Sequence, residues 1–186
     1  MAKLYFYYSS MNSGKSTHLL QVNFNYKERG MNTLLFIPDV VAEYTNNTIK
    51  SRVGLEEPAQ SFCTGLNFLN NVVDYHHIID CILIDEAQFL TKDQVTQLGE
   101  IADEWNIPVM CYGLRTDFKG ELFEGSGALL AIADTLSEIK TICDCGKKAT
   151  MNRRIDGDGN IVVDGEQIEV GGNDRYVSKC RKCFNK

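Results

Sequence analysis

The sequence predicts an α/β fold in which a parallel sheet is covered by helices on both faces. Short, continuously apolar segments at residues 3–8, 34–37, 77–84 and 108–112 are typical of strands buried on two sides. The segments between them include residues 91–105, whose apolar positions recur at helical spacing. Strands that alternate with amphipathic helices are characteristic of parallel sheets.

Local sequence signals predict where each strand and helix begins and ends. The aromatic-rich strand at 3–8 is followed by a Ser/Asn/Gly turn and a helix at 15–29 that Gly30 closes. Thr91 is the expected N-cap of the helix at 91–105. Residues 126–138 are interpreted as one more covering helix. The polar segment 40–71 has no clear periodicity, so it is either a mobile loop or a helix that the pattern does not reveal.

The chain changes character at residue 143, where short β-like pieces joined by Gly-rich turns begin. Residues 1–142 are therefore expected to form one domain and residues 143–186 a small lobe. The whole chain has a formal charge of −6, with 10 basic and 18 acidic residues up to 142 and 9 and 7 beyond it. That balance argues against nucleic acid as a partner. With no apolar run of 18 residues and no leader-like start, we expect a cytoplasmic protein without a membrane partner.

A phosphate-binding loop is the strongest local motif, and it lies between the first strand and the first helix. Backbone N–H groups of such a loop face phosphate oxygens, its lysine (Lys15) carries positive charge to them, and the hydroxyl next to that lysine (Ser16) contacts a metal. A serine replaces the usual first glycine. The candidate ATP-binding residues are Ser9, Ser10, Met11, Asn12, Ser13, Gly14, Lys15, Ser16 and Thr17.

Two acids end the apolar strand at 77–84. In phosphate-loop proteins an acid at this place belongs to the Mg²⁺ shell, which assigns Asp85 to the nucleotide site. Glu86 then remains free to accept a proton from an attacking hydroxyl or water.

Four of the seven cysteines form two close pairs, Cys143 with Cys145 and Cys180 with Cys183. Four thiolates at such spacing indicate a structural Zn²⁺ site in a lobe too small for a core of its own.

Residues 156–160 resemble the start of a calcium loop, but the positions that require Gly and Glu hold Ile161 and Gln167. A hairpin turn is the better interpretation.

Together these segments resemble the cytosolic-type thymidine kinases, close to bacterial or phage members. The stretches SSMNSGKST, LIDEAQF, CYGLRTDFKGELFEGS and VGGNDRYVSKCRKC occur in the order of that family across nearly the whole chain. The resemblance implies a RecA-like phosphate-loop domain with a zinc-ribbon and lasso lobe. It also implies transfer of the ATP γ-phosphate to the 5′-hydroxyl of thymidine or deoxyuridine, feedback inhibition by dTTP and a homotetramer.

The resemblance also assigns individual residues. Glu86 becomes the general base, and Arg115 is placed near the transferring phosphate. Gln88 joins Asp85 among the nucleotide-binding residues. The residues implied for the nucleoside pocket and the loop that closes over the base are Phe89, Leu114, Phe118, Phe123, Gly171, Gly172 and Tyr176. On spacing alone, each of the three phenylalanines is more often part of a core than a ligand contact.

Two other functions remain open from the residues. One is a zinc-ribbon ATPase that acts on nucleic acid, and the other is a non-catalytic nucleotide-binding module. The module is supported by residues 41–44, where the family commonly has an acid and this chain has Val-Ala-Glu-Tyr. Asp39 is the candidate replacement for that acid.

Overall fold

The computed structural model describes residues 1–169 and 175–186 of the 186-residue chain. The strands are, in chain order, β1 (Leu4–Ser9), β2 (Thr33–Pro38), β3 (Thr48–Lys50), β4 (Glu56–Pro58), β5 (Gln60–Phe62), β6 (Cys81–Ile84), β7 (Val109–Leu114), β8 (Thr135–Glu138), β9 (Thr141–Ile142), β10 (Lys148–Ala149), β11 (Met151–Ile155), β12 (Ile161–Val162) and β13 (Tyr176–Lys179). The helices are α1 (Lys15–Glu28), α2 (Asp39–Thr45), α3 (Phe68–Val72), α4 (Lys92–Glu104), α5 (Glu124–Ile132) and α6 (Arg181–Phe184), with a 3₁₀ turn at Ala87–Phe89.

The central sheet has six strands in the order β5-β2-β6-β7-β1-β8, and every adjacent pair is parallel. One of its faces packs in a cluster that includes Phe68 of α3, Leu98 of α4 and Leu129 of α5. The other face packs against Leu19 of α1 and Ala42 of α2. The predicted α/β fold with helices on both faces is confirmed. Within the described residues, no helix has the length and apolarity needed to cross a membrane.

The helix predicted at 126–138 is wrong in its second half. The helix α5 ends at Ile132, and Thr135–Glu138 form the strand β8 beside β1. The Asp134 carboxylate accepts the backbone N–H of Leu4 at 2.8 Å where the chain leaves the helix. Without β8, the polar backbone groups along one side of β1 would lack partners.

The strand predicted at 77–84 is shorter than expected, because it begins at Cys81. Cys81 pairs with Thr33, the first residue of β2, so residues 77–80 extend beyond the neighbouring strand and form turns.

The undecided segment 40–71 contains neither a single loop nor a single helix. It holds α2, the antiparallel hairpin of β3 and β4, the edge strand β5 and the start of α3.

The C-terminal lobe, together with β9 just before it, forms two small antiparallel sheets and α6. One sheet pairs β9 with β10, and the other has the order β12-β11-β13. The predicted turn at 156–160 joins β11 to β12, and the Asp156 carboxylate accepts the backbone N–H groups of Asp158 and Asn160. This lobe lies against the phosphate-binding loop and the carboxyl end of β7.

Candidate active site

The phosphate-binding loop connects β1 to α1, as predicted. Gly14 has φ +84°, a left-handed conformation that glycine adopts without steric cost, and it directs the chain into the helix. The Ser9 hydroxyl lies 2.5 Å from the Ser13 hydroxyl and donates to the Ser10 carbonyl at 2.7 Å. A side-chain contact across the loop thus occupies the place where the motif usually has its first glycine.

Lys15, the first residue of α1, is buried beneath this loop. Its ammonium donates to the Ser10 carbonyl at 3.4 Å. Burial lowers the pKa of Lys15, whereas the carboxylates of Glu86 and Asp85 favour its charged form. The cation is therefore partly desolvated, and a phosphate at the loop would interact with it more strongly than in bulk water.

Ser16 and Asp85 lie together at the floor of the loop. The Ser16 hydroxyl donates to Asp85 Oδ2 at 2.7 Å. Burial raises the pKa of Asp85 most strongly, and the neighbouring Glu86 raises it further. A hydroxyl and a carboxylate are the oxygen ligands that Mg²⁺ prefers, so this pair fits the metal of a nucleotide site.

Glu86 adopts an uncommon backbone conformation, with φ +52° in the left-handed region. Its carboxylate accepts a hydrogen bond from the Gln88 amide, and the Gln88 carbonyl oxygen accepts the Leu114 backbone N–H at 3.0 Å. Gly113 makes this arrangement possible, because a Cβ there would lie 2.9 Å from Gln88 Oε1 and 3.0 Å from its backbone nitrogen.

A cavity of about 490 Å³ opens beside Glu86. Its size is in the range of small-molecule sites. The structure brings to its wall all the described residues that were predicted for the nucleoside pocket: Phe89, Leu114, Phe118, Phe123 and Tyr176. Gly171 and Gly172 lie outside the described residues. Gln88, which was predicted for the nucleotide site, lines this cavity and not the cavity over the phosphate loop.

A second cavity of about 390 Å³ lies over the phosphate-binding loop, and it is lined by the loop residues from Met11 to Thr17. The two cavities share Met11, Glu86 and Leu114. They therefore adjoin at a wall that includes Glu86. A ligand with a phosphate chain in the smaller cavity and a second ligand in the larger one would meet at this residue.

Arg115 is not brought to either cavity. Its guanidinium donates to the Thr150 carbonyl at 3.2 Å, between the end of β7 and the C-terminal lobe. Ser9 and Ser10, the first two residues of the predicted loop, are buried and do not line the second cavity.

Sequence reasoning missed several lining residues. The turn between β3 and β4 supplies a basic stretch, residues 50–53, to the cavity over the phosphate loop. Its Lys and Arg were visible in the polar segment 40–71, but nothing local indicated a hairpin. Thr116 also lines the larger cavity, and its buried hydroxyl has no hydrogen-bond partner among the described residues.

Sequence reasoning also missed Arg154, which contacts two lining residues of the larger cavity. Its guanidinium lies 3.9 Å from the Phe118 ring centroid and donates to the Tyr176 hydroxyl at 2.7 Å. Its ion pair with Glu169 measures 3.4 Å, and the Tyr176 hydroxyl donates to the Glu169 carbonyl at 2.8 Å. Only the adjacent arginines at 153 and 154 were visible in the sequence, and nothing distinguished the buried one.

The four predicted zinc ligands converge, and their sulfur atoms all lie within 4.8 Å of one another. Cys143 and Cys145 flank the turn between β9 and β10, while Cys180 caps α6 and Cys183 lies within it. Backbone N–H groups lower the pKa of the Cys143 thiol and so favour the thiolate that binds metals. Four converging thiols fit a closed, tetrahedral Zn²⁺ site.

Comparisons with known proteins agree with this geometry. The thymidine kinase family matches residues 2–184 of the chain. A thymidine kinase of Zymomonas mobilis is 56% identical over 186 residues, which cover 99% of this chain and 96% of that protein. One of Legionella pneumophila is 58% identical over 184 residues, covering 97% of this chain and 88% of that protein. One of Rhodopirellula baltica is 55% identical over 186 residues, with 99% and 88% covered. By sequence over nearly its full length, the chain belongs to the thymidine kinase family.

Proposed function

We propose that the protein transfers the γ-phosphate of ATP to the 5′-hydroxyl of thymidine and produces dTMP and ADP. The observation that carries the proposal is the meeting of two cavities at Glu86, one over a phosphate-binding loop and one lined by aromatic side chains. The relatives named above are thymidine kinases, which supports thymidine as the acceptor. Deoxyuridine, which lacks only the methyl group of the base, is the second expected acceptor.

In the proposed reaction, the smaller cavity holds the triphosphate of ATP. The loop from Met11 to Thr17 surrounds the phosphates, and the Lys15 ammonium stabilises the charge that shifts between them. Ser16 and Asp85 would hold Mg²⁺, which neutralises phosphate oxygens when it is bound.

Glu86 is proposed as the general base. Its carboxylate takes the proton of the nucleoside 5′-hydroxyl as that oxygen forms a bond to the γ-phosphorus. The bond from the γ-phosphorus to the β–γ bridging oxygen breaks, and ADP leaves with that oxygen. The position of Glu86 on the shared wall of both cavities supports this role. Arg115 stays a prediction for this step, and its contact with the Thr150 carbonyl would have to break.

The larger cavity is proposed to hold the nucleoside. Phe118, Phe123 and Tyr176 offer aromatic surface to the base, and Gly171 and Gly172, outside the described residues, stay predicted base-binding residues. A closed site built for the thymine edge would leave buried groups unpaired against cytosine, so deoxycytidine is expected to be a poor substrate.

The wider organisation is part of the proposal. Residues 1–142 form the kinase domain, and residues 143–186 form a zinc-binding lobe with one Zn²⁺. The protein is proposed to act in the cytoplasm as a homotetramer that the end product dTTP inhibits. The resemblance of the motifs to the family supports these features.

A nucleoside panel with labelled ATP tests the proposal. We expect phosphorylation of thymidine and deoxyuridine and little of deoxycytidine. ATP consumption that requires nucleic acid instead of a nucleoside would contradict it, as would binding of ATP without turnover. The Lys15→Ala variant is the control, because it removes the phosphate-binding cation. Turnover that survives within a few-fold in this variant would place catalysis elsewhere.

A further inference from the structure

Three side chains from residues 141–178 make hydrogen bonds with backbone groups of the phosphate-binding loop. The Met11 N–H donates to Asn152 Oδ1 at 2.8 Å, and the Ser178 hydroxyl donates to the Met11 carbonyl at 2.5 Å. The Thr141 hydroxyl donates to the Asn12 carbonyl at 3.3 Å. The three partners lie on β9, β11 and β13, so the contacts link residues 129 to 167 positions apart.

Asn152 and Ser178 are directly opposite each other in the pairing of β11 with β13, and both are buried. The nitrogen of the same side-chain amide is also engaged, because Asn152 Nδ2 donates to the Thr116 carbonyl at 3.0 Å. Asn152 is therefore oriented by a contact to the end of β7 and cannot rotate freely away from Met11. Two cross-strand neighbours thus hold the backbone of one loop residue from both sides.

These contacts fix the orientation of successive peptide planes. A trans peptide is planar, and its C=O and N–H point in opposite directions. Asn152 holds the plane between Ser10 and Met11, Ser178 holds the plane between Met11 and Asn12, and Thr141 holds the next one. The direction of each following N–H is set by the same contacts, and these N–H groups are what a phosphate-binding loop offers to its ligand.

The same geometry extends to the phosphate-binding cation. Because the Met11 N–H points at Asn152, the Ser10 carbonyl of the same plane points the other way. That carbonyl accepts the Lys15 ammonium at 3.4 Å and the Ser9 hydroxyl at 2.7 Å. A rotation of this plane would remove the acceptor that holds Lys15 beneath the loop.

We infer that the C-terminal lobe, with the strand β9 that leads into it, positions the phosphate-binding loop for ATP, and that Asn152, Ser178 and Thr141 are the positioning residues. The inference rests on the proposed function in that it takes ATP as the ligand of this loop. The lobe then serves two ligands: Tyr176 lines the larger cavity, whereas Ser178, two residues further along β13, acts on the loop of the smaller one.

Ser178→Ala is the discriminating variant, because Ser178 lines neither cavity. We expect the KM for ATP to rise roughly 3- to 10-fold, the scale on which one hydrogen bond acts. The KM for thymidine should stay within about two-fold, and the zinc content should not change. The matched control is Ser137→Ala, since Ser137 is a half-buried serine of β8 that lines neither cavity. It should leave both KM values unchanged.

The inference is overturned if Ser178→Ala lowers the melting temperature but leaves the KM for ATP unchanged, because the contact would then be structural only. If Ser178→Ala does not fold, Thr141→Val decides. Thr141 is half-buried, and we expect about a 2- to 5-fold rise in the KM for ATP; no rise overturns the inference.

Binding of a fluorescent ATP analogue without nucleoside separates this inference from the proposed function. Weaker binding by Ser178→Ala supports the positioning role even if the wild-type protein fails to phosphorylate thymidine. Equal binding by Ser178→Ala and wild type counts against it whether or not thymidine is phosphorylated.

Discussion

Gln88 joins the Glu86 carboxylate to the backbone of Leu114. Its Nε2 donates to Glu86 Oε2, and its Oε1 accepts the Leu114 N–H at 3.0 Å. The backbone N–H can only donate, so it fixes which end of the amide faces the carboxylate. The end of β7 is thereby connected, through one buried side chain, to the proposed general base.

Replacing Gln88 by Leu is expected to lower kcat about 10-fold, because the Glu86 carboxylate loses its orienting donor. The KM for ATP should change by less than about two-fold, since Gln88 does not line the cavity over the phosphate loop. Steady-state kinetics with both substrates measures the effect. Gln21→Leu on the exposed surface of α1 is the control, and an unchanged kcat in Gln88→Leu would argue against the orienting role.

Glu86→Gln keeps the size of the side chain but cannot accept the proton. We expect kcat to fall about 100-fold or more, while the affinities for ATP and thymidine remain close to those of the wild type. Single-turnover kinetics combined with equilibrium binding separates the two effects. If kcat survives, Glu86 is removed from the mechanism.

Thr116→Val removes a buried hydroxyl that lacks a partner among the described residues and faces the larger cavity. We expect the free protein to be as stable as the wild type or more stable, because an unpaired buried polar group costs about 1–3 kcal/mol. We expect the KM for thymidine to rise several-fold, because Thr116 lines the cavity that is proposed to hold the nucleoside. Thermal unfolding and steady-state kinetics test the pair of effects, with Thr135→Val as control. An unchanged KM would mean that the nucleoside does not contact Thr116.

Elemental analysis of protein purified without chelators should find about one Zn²⁺ per chain. Cys180→Ser should lower both the zinc content and the melting temperature, because the four sulfur atoms form one cluster. Cys63→Ser, at an exposed cysteine outside that cluster, is the control and should retain zinc. Zinc-free wild-type protein, or Cys180→Ser with full zinc content, would refute the site.

Features that depend on neighbouring residues in the chain could be predicted from the sequence. Thr91 caps α4, and the capping box with Gln94 forms over three residues. The phosphate loop is likewise continuous from Ser9 to Thr17. The turn at 156–160 closes on the side chain of its own first residue. For the cap and the turn, the stabilising partner lies within a few positions; for the phosphate loop, the motif itself is local.

Features that depend on distant partners could not be predicted. Residues 135–138 follow a helix without a break in composition, and they form a strand because the edge of β1 accepts them. Asn152 and Ser178 contact Met11 across 141 and 167 positions of the chain. Arg154 lies between Phe118 and Tyr176 only after β11 and β13 have paired. No local pattern distinguishes these side chains from exposed polar ones.

The left-handed backbone conformation at Glu86 lowers the stability of the fold, whereas the Glu86 carboxylate is needed for the proposed activity. For a residue with a Cβ, this conformation costs on the order of 1 kcal/mol, and glycine would adopt it freely. A selection that scores only melting temperature would therefore favour Glu86→Gly and so enrich inactive protein. Engineering for heat tolerance must hold position 86 constant and seek its gains elsewhere in the chain.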